Sequence, residues 1–334
     1  MATNKCIVTG GAGYIGSHCA LSLLDKGYKV VVLDNLSTGH METVQTLQNY
    51  GDLTFYDVDL TNDEKLHSVI KDISDADAVF HFAAFSQVGE SVINPQKYYG
   101  NNILGSLNLF KEMLEFDIKK LVFSSTAAVY GEPDYVPIDE KHSTQPINTY
   151  GKTKLFIEKI LDDYDKAYNL KSVRLRYFNV AGADSKNRVG EWHEPESHLI
   201  PNILKSTLKS DMTFDMYGDD YNTKDGTCIR DYINVEDLIS AHLLALDYLN
   251  NRGKTDFFNI GTNNGNSIKE VLSACEEVTG KTILINKKPR REGDPATLIA
   301  DNTKAKNVLN WSPRKTIKDS IESAYKWEQK NNKI

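Results

Sequence analysis

A tyrosine and a lysine stand four positions apart in the middle of the chain, as Tyr150 and Lys154. We expect a helix to begin near Thr149, and residues i and i+4 of a helix share a face, so the phenol and the ammonium should lie side by side. An ammonium beside a phenol favours the phenolate and lowers the phenol pKa from about 10. The pair is a candidate general acid and base beside a hydride acceptor.

The spacing of these two residues is also typical of an ordinary exposed helix, so their context decides the interpretation. The preceding strand ends Phe-Ser-Ser-Thr, which places hydroxyls at the carboxyl end of a parallel strand. Open α/β sheets bind ligands at that edge. A hydroxyl of Ser124, Ser125 or Thr126 could bond the reacting alcohol or carbonyl oxygen, and this favours the chemical interpretation of the pair.

A glycine-rich turn follows the first apolar run, in the stretch Thr-Gly-Gly-Ala-Gly-Tyr-Ile-Gly. Gly10, Gly13 and Gly16 permit a tight turn, close approach to phosphate oxygens and close packing of a helix on the sheet. The N-terminus of that helix offers N–H groups and partial positive charge to a diphosphate. Because the turn joins a strand to a helix, it predicts a dinucleotide site.

An aspartate, Asp34, ends the second strand 18 positions after Gly16. A carboxylate there can accept hydrogen bonds from ribose hydroxyls and would repel a 2′-phosphate, and neither Asn35 nor Leu36 supplies an arginine. This favours NAD over NADP; the alternative is a solvated turn aspartate. Asp59, which ends the third predicted strand, could reach the adenine or serve as a turn or helix cap.

Short apolar runs alternate with amphipathic segments through the first half of the chain, which predicts a parallel sheet covered on both faces by helices. The predicted strands are 6–10, 29–34, 53–59, 78–84, 121–125 and 172–180, and the helices between them include 14–26, 62–71 and 96–116. The fold class predicted from this alternation is α/β, a Rossmann-type doubly wound parallel sheet with a smaller mixed α/β substrate-binding domain.

The regular alternation weakens after about residue 180, where a polar stretch rich in Gly and Pro predicts a long loop. We therefore expect an NAD-binding domain over 1–180, with later segments at about 232–262 packing back onto it. A second, smaller domain that binds the substrate is expected over 181–334.

The net charge of −7 argues against nucleic acid or anionic membranes as partners, because no excess of Lys and Arg exists to neutralise phosphates. Cys6, Cys19, Cys228 and Cys275 lack metal-ligand spacing, so we expect buried thiols in a reducing compartment. The N-terminus enters a strand pattern directly, without the features of a signal peptide, and no run of about 18 apolar residues predicts a membrane span. A cytoplasmic protein is expected.

The glycine turn, the acid, the Ser/Thr strand end and Tyr-x-x-x-Lys together resemble the extended short-chain dehydrogenase/reductase family. Further stretches are similar to the UDP-glucose 4-epimerase family within it, from about residue 4 to 330: HFAAFSQVGES (81–91), NNILGSLNL (101–109), SSTAAVYG (124–131), LRYFNVAGA (175–183), DGTCIRDYINVEDL (225–238), NIGTNNGNS (259–267) and KPRREGDPA (288–296).

The resemblance implies interconversion of UDP-galactose and UDP-glucose through a 4-keto sugar, with tightly bound NAD, in galactose metabolism. It implies that Tyr150 is the base and acid, that Lys154 tunes it and that Thr126 shares the hydrogen bond to the sugar 4-oxygen. The residues implied around NAD are Gly10, Gly13, Tyr14, Ile15, Gly16, Asp34, Asn35, Asp59, Leu60, Phe82, Ala83, Asn101, Ser124, Tyr150, Lys154 and Tyr177. Those implied around the UDP-sugar are Thr126, Asn179, His198, Leu199, Tyr217, Arg230, Arg291 and Asp294.

The residues themselves leave alternatives open at this second site. A guanidinium suits diphosphate oxygens, yet each arginine could instead form a structural salt bridge. Asp294 could accept from a ribose hydroxyl or sit in a turn, and His198 could donate to the diphosphate or cap a helix.

The sequence departs from some relatives at three positions. Thr126 stands where some relatives have a serine and keeps the hydroxyl donor. Ser86 replaces a lysine near the cofactor phosphates, which bears on how tightly NAD binds. Leu298 replaces a tyrosine, and the smaller side chain suggests that a sugar N-acetyl group could also be accepted.

The residues also argue against three alternative functions. Sugar-nucleotide 4,6-dehydratases carry an Asp-Glu pair where Ala127 and Ala128 stand, and a hexuronate epimerase or decarboxylase needs a carboxylate-binding cation that the sequence does not indicate. A cofactor-sensing protein with an inactive site would have no need of the intact set Tyr150, Lys154 and Thr126.

The resemblance also implies a homodimer, formed through the helices predicted at 96–116 and 149–168.

Overall fold

Buried β-branched runs form strands close to where the sequence places them, and amphipathic segments form the helices that connect them. The structure is a computed structural model and describes residues 4–208, 212–290 and 294–331. The strands are β1 (Lys5–Thr9), β2 (Lys29–Asp34), β3 (Leu53–Asp57), β4 (Ala78–His81), β5 (Lys120–Thr126), β6 (Lys171–Tyr177), β7 (Asn179–Ala181), β8 (Phe214–Tyr217), β9 (Ile229–Arg230), β10 (Tyr232–Asn234), β11 (Asp256–Ile260), β12 (Asn266–Ser267), β13 (Ile285–Lys288) and β14 (Thr297–Leu298).

The helices differ in length and in how they are capped. They are α1 (Tyr14–Asp25), α2 (Met41–Gln48), α3 (Asp63–Asp72), α4 (Val88–Ile93), α5 (Pro95–Tyr98), α6 (Gly105–Glu115), α7 (Thr149–Tyr168), α8 (Leu199–Leu208), α9 (Val235–Asn250), α10 (Ile268–Thr279), α11 (Thr303–Leu309) and α12 (Ile317–Asn331). A π-helical segment, Tyr99–Leu104, joins α5 to α6, and a short 3₁₀ turn, Ala127–Val129, follows β5.

The chain divides into two units. The first unit consists of Met1–Gly131, Ser143–Arg176 and Ala241–Phe258, and the second of Glu132–His142, Tyr177–Ser240 and Asn259–Ile334. The chain therefore leaves the first unit and returns to it twice.

A seven-stranded sheet with the order β11-β6-β5-β4-β1-β2-β3 organises the first unit. Strand β1 pairs in parallel with β2 on one side and with β4 on the other, and β3 and β5 extend the sheet in the same sense. The Rossmann-type α/β fold predicted from the sequence is thus confirmed. Because the strands are parallel, Thr9, Asp34, His81 and Thr126 lie toward one edge, the carboxyl edge.

Apolar side chains on the strands of this sheet pack against helices. All residues of β4 are buried, as are the last six of β5, as expected for parallel strands covered on both faces. One core cluster joins Leu66 of α3, Phe110 of α6, Phe123 of β5 and Leu161 of α7. This packing fixes α7, which carries the predicted acid and base, against the strand that carries the predicted hydroxyls.

The second unit is built from small sheets and three packed helices. Strand β7 pairs in parallel with β10, β8 pairs in parallel with β13, and β9 lies between antiparallel β12 and parallel β14. Helices α8, α10 and α12 supply Leu204, Leu272 and Ile321 to the core of this unit. Across 4–208, 212–290 and 294–331, no helix has both the length and the hydropathy needed to cross a membrane.

Two predicted elements are interrupted in the structure. The single strand predicted over 172–180 is two strands, β6 and β7, which belong to different sheets and are separated at Phe178. The helix predicted over 96–116 contains the π-helical segment, which shifts the backbone hydrogen bonds by one residue.

Candidate active site

The glycine turn after β1 brings three backbone segments close together. Gly10 has a φ of +70°, which favours glycine, and its N–H donates to the carbonyl of Leu33 at 2.8 Å. A Cβ on Gly10 would lie 2.7 Å from the backbone nitrogen of Ala83, and a Cβ on Gly16 would collide with the Gly10 carbonyl. Side chains at either position would therefore push β4 or α1 away from the turn.

The N-terminus of α1 has the features of an anion site. Gly13 caps the helix without a side-chain hydrogen bond, and no acidic residue occupies the first turn. A Cβ on Gly13 would meet only the Gly10 carbonyl, at 3.4 Å, so the backbone here is open to a close approach. The first-turn N–H groups, including those of Ile15 and Gly16, and the helix dipole suit the diphosphate of a dinucleotide.

Four polar side chains lie at or just after the ends of β2 and β3. The Asp34 carboxylate is buried and accepts from the backbone N–H groups of Ala12, at 2.9 Å, and Leu36, at 2.8 Å. Asn35 donates to Asp59 at 2.9 Å, and Thr61 donates to Asp59 through both its N–H and its hydroxyl. Leu60 is buried directly after Asp59. The structure thus brings together the residues that the sequence predicted around the adenosine.

The two carboxylates of this group differ in their pKa values. Burial raises the pKa of Asp34, although the Ala12 and Leu36 N–H groups oppose the change. Burial acts in the same direction on Asp59, but hydrogen bonds from Thr61 and Asn35 outweigh it and lower its pKa. A buried carboxylate that still has acceptor capacity suits the hydroxyls of a ribose.

Hydrogen bonds link the turn after β4 to β1, and the π-helical segment to α7. Phe82 donates its N–H to the Thr9 carbonyl at 3.1 Å, and Ala83 donates to the Thr9 hydroxyl at 3.3 Å. Asn101 donates to Asn102 at 2.9 Å, and Asn102 donates in turn to Thr153 of α7 at 3.1 Å. These bonds tie the predicted positions Phe82, Ala83 and Asn101 to β1 and α7, whereas Ser86 is exposed.

Tyr150, Lys154 and Thr126 come together where α7 begins. The Asn148 side chain caps α7 by accepting from the N–H of Gly151 at 2.8 Å. Lys154 Nζ donates to the Ser124 carbonyl at 2.7 Å and lies 5.9 Å from the centre of the Tyr150 ring. The Thr126 hydroxyl is hydrogen-bonded to the Tyr150 phenol. The predicted helix start and the predicted proximity of these side chains are confirmed.

The predicted direction of the tyrosine pKa is wrong for the ligand-free chain. Burial raises the pKa of Tyr150 to about 12, although its hydrogen bond with Thr126 lowers it. Burial also lowers the pKa of Lys154 to about 7, against the attraction of Glu158. The neighbouring ammonium therefore does not offset the loss of water around the phenol, which stays protonated at neutral pH.

A buried histidine, His81, is hydrogen-bonded on both sides and supports the site; this role was not predicted from the sequence. His81 Nδ1 is hydrogen-bonded to the Thr9 hydroxyl at 2.7 Å, and His81 Nε2 to the Ser106 hydroxyl at 2.9 Å. Burial lowers the pKa of His81 to about 3, and the Lys154 charge acts in the same direction, so the ring is neutral. The stretch HFAA contains this histidine, and its position on a buried strand was the available signal.

A second network was also missed and holds β5 to α7. Ser125 donates to Glu158 at 2.5 Å, and Glu158 pairs with the Arg176 guanidinium, which also donates to the Tyr130 hydroxyl at 3.0 Å. All four of these side chains are buried. This network fixes the strand end that presents Thr126 relative to the helix that presents Tyr150.

The second unit contains a paired arginine and aspartate. The Arg230 guanidinium, 8% exposed, forms an ion pair with Asp294 and donates to the Ile229 carbonyl at 2.8 Å. The Tyr221 hydroxyl lies 3.5 Å from the same carboxylate. Leu298 is paired in register with Arg230 across β14 and β9. The arginine is therefore oriented by its neighbours and has further N–H groups that suit diphosphate oxygens.

The other residues predicted around the UDP-sugar occupy several elements. Asn179 begins β7 and is exposed, Tyr217 ends β8 and is half-buried, and Leu199 begins α8. His198 directly precedes α8; burial lowers its pKa, but Glu191 and Glu196 outweigh this and raise it to about 10. The structure brings Arg230 and Asp294 together. Arg291 lies outside the described residues.

Tyr177 was also predicted around the cofactor. It is the last residue of β6, and its side chain is buried.

Comparisons with known proteins give a consistent result. The family model described as GDP-mannose 4,6 dehydratase matches residues 7–324. A UDP-glucose 4-epimerase of Halalkalibacterium halodurans is 49% identical over 326 residues, which is 97% of this chain and 96% of the relative. A crystal structure of a UDP-glucose 4-epimerase is 49% identical with a TM-score of 0.94, covering 98% of both chains. That of Bifidobacterium longum, in complex with NAD+ and UDP, is 38% identical with a TM-score of 0.93, again covering 98% of both chains.

Proposed function

The chain belongs to the extended short-chain dehydrogenase/reductase family and, within it, to the UDP-glucose 4-epimerases, and from this premise we propose that it interconverts UDP-galactose and UDP-glucose through a 4-keto sugar, as a step of galactose metabolism. It is an NAD-dependent sugar-nucleotide epimerase. The observation that carries the proposal is the junction of β5 and α7, where Thr126, Tyr150 and Lys154 meet.

The first unit is proposed to hold NAD. The N-terminus of α1 after the glycine turn suits the diphosphate, and Asp34 with Asn35 and Asp59 suits the adenosine. A bound NAD would supply the acceptor for a hydride from the sugar C4 and the donor that returns it. Lys154, whose Nζ is fixed by the Ser124 carbonyl, is proposed to donate to the nicotinamide ribose.

Tyr150 is proposed to carry the proton of the sugar 4-hydroxyl. The phenol must first lose its own proton, and burial opposes this in the ligand-free chain. Two positive charges nearby, a protonated Lys154 and an oxidised nicotinamide, act together to lower its pKa. Tyr150 then removes the 4-hydroxyl proton as a base and gives it back as an acid, while Thr126 holds the 4-oxygen.

The second unit is proposed to hold UDP. Arg230 would bind diphosphate oxygens, with Asp294 orienting the guanidinium or accepting from the uridine ribose. Asn179, His198, Leu199, Tyr217 and Arg291 are the other proposed contacts. Firm binding of UDP and weak binding of the sugar are required together, because the 4-keto sugar must turn its opposite face to the same hydride donor.

The residues after Thr126 distinguish epimerisation from dehydration. The matching family model is described as a dehydratase, and such enzymes need an acid and a base after the threonine. Here Ala127 and Ala128 occupy the 3₁₀ turn at that place, and neither can move a proton. This supports epimerisation.

The decisive experiment uses the purified protein without added NAD. Incubation with UDP-galactose should yield UDP-glucose, measured by chromatography, and Tyr150→Phe should lose nearly all of this activity while retaining its NAD. Tyr168→Phe, on an exposed part of the same helix, is the matched control and should keep full activity. An active Tyr150→Phe variant would refute the assignment.

A second activity is proposed on N-acetylated sugars. Leu298 lies beside Arg230 in the second unit, where some relatives have a bulkier tyrosine, and the smaller side chain leaves room for an N-acetyl group. UDP-N-acetylgalactosamine should therefore be converted to UDP-N-acetylglucosamine, and Leu298→Tyr should lose this activity while keeping that on UDP-galactose. Absence of turnover of UDP-N-acetylgalactosamine by the unmodified chain would dispose of the idea.

A homodimer is also proposed. Leu104, at the end of the π-helical segment, and Phe156, on α7, are large apolar side chains that are each more than 40% exposed. Burying them against a second copy would remove this surface from water. Sedimentation equilibrium should give twice the chain mass, and Phe156→Glu should shift it to the monomer; an unchanged mass would reject this surface.

A cytoplasmic location is proposed in addition. It is supported by the four cysteines, which are all buried thiols. Fractionation of the source cells should recover the protein with cytoplasmic markers, and recovery with the cell envelope would contradict it.

A further inference from the structure

The segment before α8 gathers two histidines and two glutamates that differ from the catalytic group in the first unit. Glu191, His193, Glu196 and His198 lie within eight positions of one another. One ligand atom from each, a carboxylate oxygen or an imidazole nitrogen, lies within 4.8 Å of every other. These four residues are called the 191–198 cluster below. Two imidazoles and two carboxylates are a ligand set that divalent transition metals accept.

The four nitrogen–oxygen distances in the cluster are comparable in size to those around one tetrahedral ion. His193 Nδ1 lies 3.3 Å from Glu191 Oε1 and 3.8 Å from Glu196 Oε1. His198 Nδ1 lies 2.7 Å and 3.3 Å from the same two oxygens. Metal–ligand distances of about 2.0–2.1 Å in a tetrahedron imply ligand–ligand distances of about 3.3–3.4 Å. The cluster needs only small adjustments to admit an ion.

The two carboxylates of the cluster are buried and held in place. Both glutamate side chains are 5% exposed. Glu196 Oε1 accepts from the N–H groups of Ser197 and His198 at 2.8 and 2.9 Å, and the Trp327 indole donates to the Glu191 carbonyl at 2.8 Å. Two buried like charges near one point are costly unless a cation lies between them.

One other cation faces the cluster from a neighbouring helix turn. Lys205 of α8 lies 3.4 Å from Glu196 Oε2, and it also lies 3.9 Å from Glu328. The lysine therefore approaches the carboxylate oxygen that points away from the histidines. Glu196 Oε1 and Glu191 Oε1 remain directed at both imidazoles.

We propose that the 191–198 cluster binds one Zn²⁺, with His193 Nδ1, His198 Nδ1, Glu191 Oε1 and Glu196 Oε1 as its ligands. Zinc favours four-coordinate nitrogen and oxygen sets of this kind. Protons on the imidazoles leave as the ion enters, so zinc replaces an internal ion-pair network by direct coordination. The ion would then fix the segment that leads into α8.

The test uses the purified, NAD-containing protein after treatment with a chelator. It is dialysed against Zn²⁺ in the presence of excess Mg²⁺, and bound metal is measured by mass spectrometry. One Zn²⁺ per chain is expected, together with a rise in the unfolding midpoint. Co²⁺ in place of Zn²⁺ should give the visible absorption of a tetrahedral site.

Variants separate this site from incidental binding. Glu191→Gln and His193→Gln should each weaken Zn²⁺ binding by more than about tenfold, since loss of a ligand exceeds loss of an outer-shell partner. His67→Gln is the matched control: His67 lies 2.8 Å from Glu112 and 3.8 Å from Glu115, but this group has one imidazole and three donors. The His67→Gln variant should bind Zn²⁺ as tightly as the unmodified chain does.

The outcomes distinguish this proposal from the proposed function. Neither Glu191 nor His193 is a proposed contact of NAD or UDP-sugar, so NAD content reports whether the variants are folded. If Glu191→Gln does not fold, the His193→Gln variant decides the question, because His193 is more exposed than Glu191. Absence of stoichiometric Zn²⁺ on the unmodified chain, or equal binding by folded His193→Gln, overturns the proposal.

Discussion

Burial of Lys154 makes the stability of the ligand-free chain depend on pH. Its pKa is about 7 in the native chain and 10.5 in the unfolded chain, so between these values the unfolded chain binds a proton that the native chain lacks. The free energy of unfolding that this group contributes therefore rises with pH between about 7 and 10.5. Below about pH 7 the full cost of burying the charged lysine is present. Lys154→Met removes the dependence and should stabilise the NAD-free chain at pH 6 by on the order of a few kcal/mol.

Denaturant unfolding of NAD-free protein at several pH values from 6 to 9 checks this prediction. The free energy of unfolding of the unmodified chain should rise relative to that of Lys154→Met as pH increases. Lys152→Met, an exposed lysine on the same helix, is the control and should run parallel to the unmodified chain. A constant difference between unmodified chain and Lys154→Met would show that Lys154 is not forced toward its neutral form.

The Thr126 hydroxyl gives a second prediction at the scale of one residue. It is hydrogen-bonded to Tyr150 and is proposed to hold the 4-oxygen as charge develops on it. Thr126→Ala should lower kcat about tenfold to a hundredfold, as expected for a hydrogen bond of about 1.5–3 kcal/mol to a charged group. Thr126→Ser keeps the hydroxyl and should retain most of the activity in the UDP-galactose assay. Equal losses in both variants would indicate a role in packing instead.

Residue types and spacing predicted the proximity of Tyr150, Lys154 and Thr126 but not their protonation. An i, i+4 spacing in a helix fixes which side chains are neighbours. It carries no information about water, and burial dominates the pKa of both Tyr150 and Lys154. His81 was missed for a similar reason, because its partners Thr9 and Ser106 come from distant positions in the chain.

At the scale of elements, Gly151 allows the first turn of α7 to pack closely against the 3₁₀ turn after Thr126. A Cβ on Gly151 would lie 2.5 Å from the Ala128 carbonyl oxygen and 3.0 Å from Pro146 Cβ. Gly151→Ala must therefore move the first turn of α7, which carries Tyr150, away from the 3₁₀ turn after Thr126. We expect a loss of about 1–3 kcal/mol in the free energy of unfolding and a lower kcat.

Gly89 in α4 provides the matched control for this substitution. A Cβ there would meet nothing within 4 Å, so Gly89→Ala should be neutral or stabilising because alanine favours the helix. Thermal unfolding and the UDP-galactose assay measure both variants. The explanation by steric contact is rejected if Gly151→Ala is as stable and as active as Gly89→Ala.

Elements were predictable where burial alone determined them. The runs at 29–34 and 78–84 correspond to β2 and β4, because strands buried on both faces are nearly continuous in apolar residues. Within 96–116, however, Asn102 bonds to Phe85 and Thr153, and these tertiary partners accompany a π-helical segment that hydrophobic spacing does not reveal. The break at Phe178 was missed because Phe178 itself favours strands and Val180 follows it, so the apolar pattern of β6 continues across the break.

At the scale of the molecule, the first unit is completed by a late segment of the chain, Ala241–Phe258. The ring of His242 lies 4.9 Å from that of Phe82, and the Arg176 guanidinium lies 4.1 Å from the Phe257 ring centre. Ser172 of β6 also donates its N–H to the Thr255 hydroxyl at 3.1 Å. Strand β11 covers β6, which would otherwise be the edge of the sheet.

A fragment ending at Val180 should therefore fail to form the first unit, although it contains the glycine turn, Asp34, Tyr150 and Lys154. It lacks His242, which packs against Phe82, and Phe257, which packs against Arg176, and it exposes the backbone of β6 as an unprotected edge. We expect no cooperative thermal transition by circular dichroism and no NAD retained on purification, in contrast to the full chain. A fragment that unfolds cooperatively, with a midpoint raised by added NAD, would show that Ala241–Phe258 is dispensable to the cofactor-binding unit.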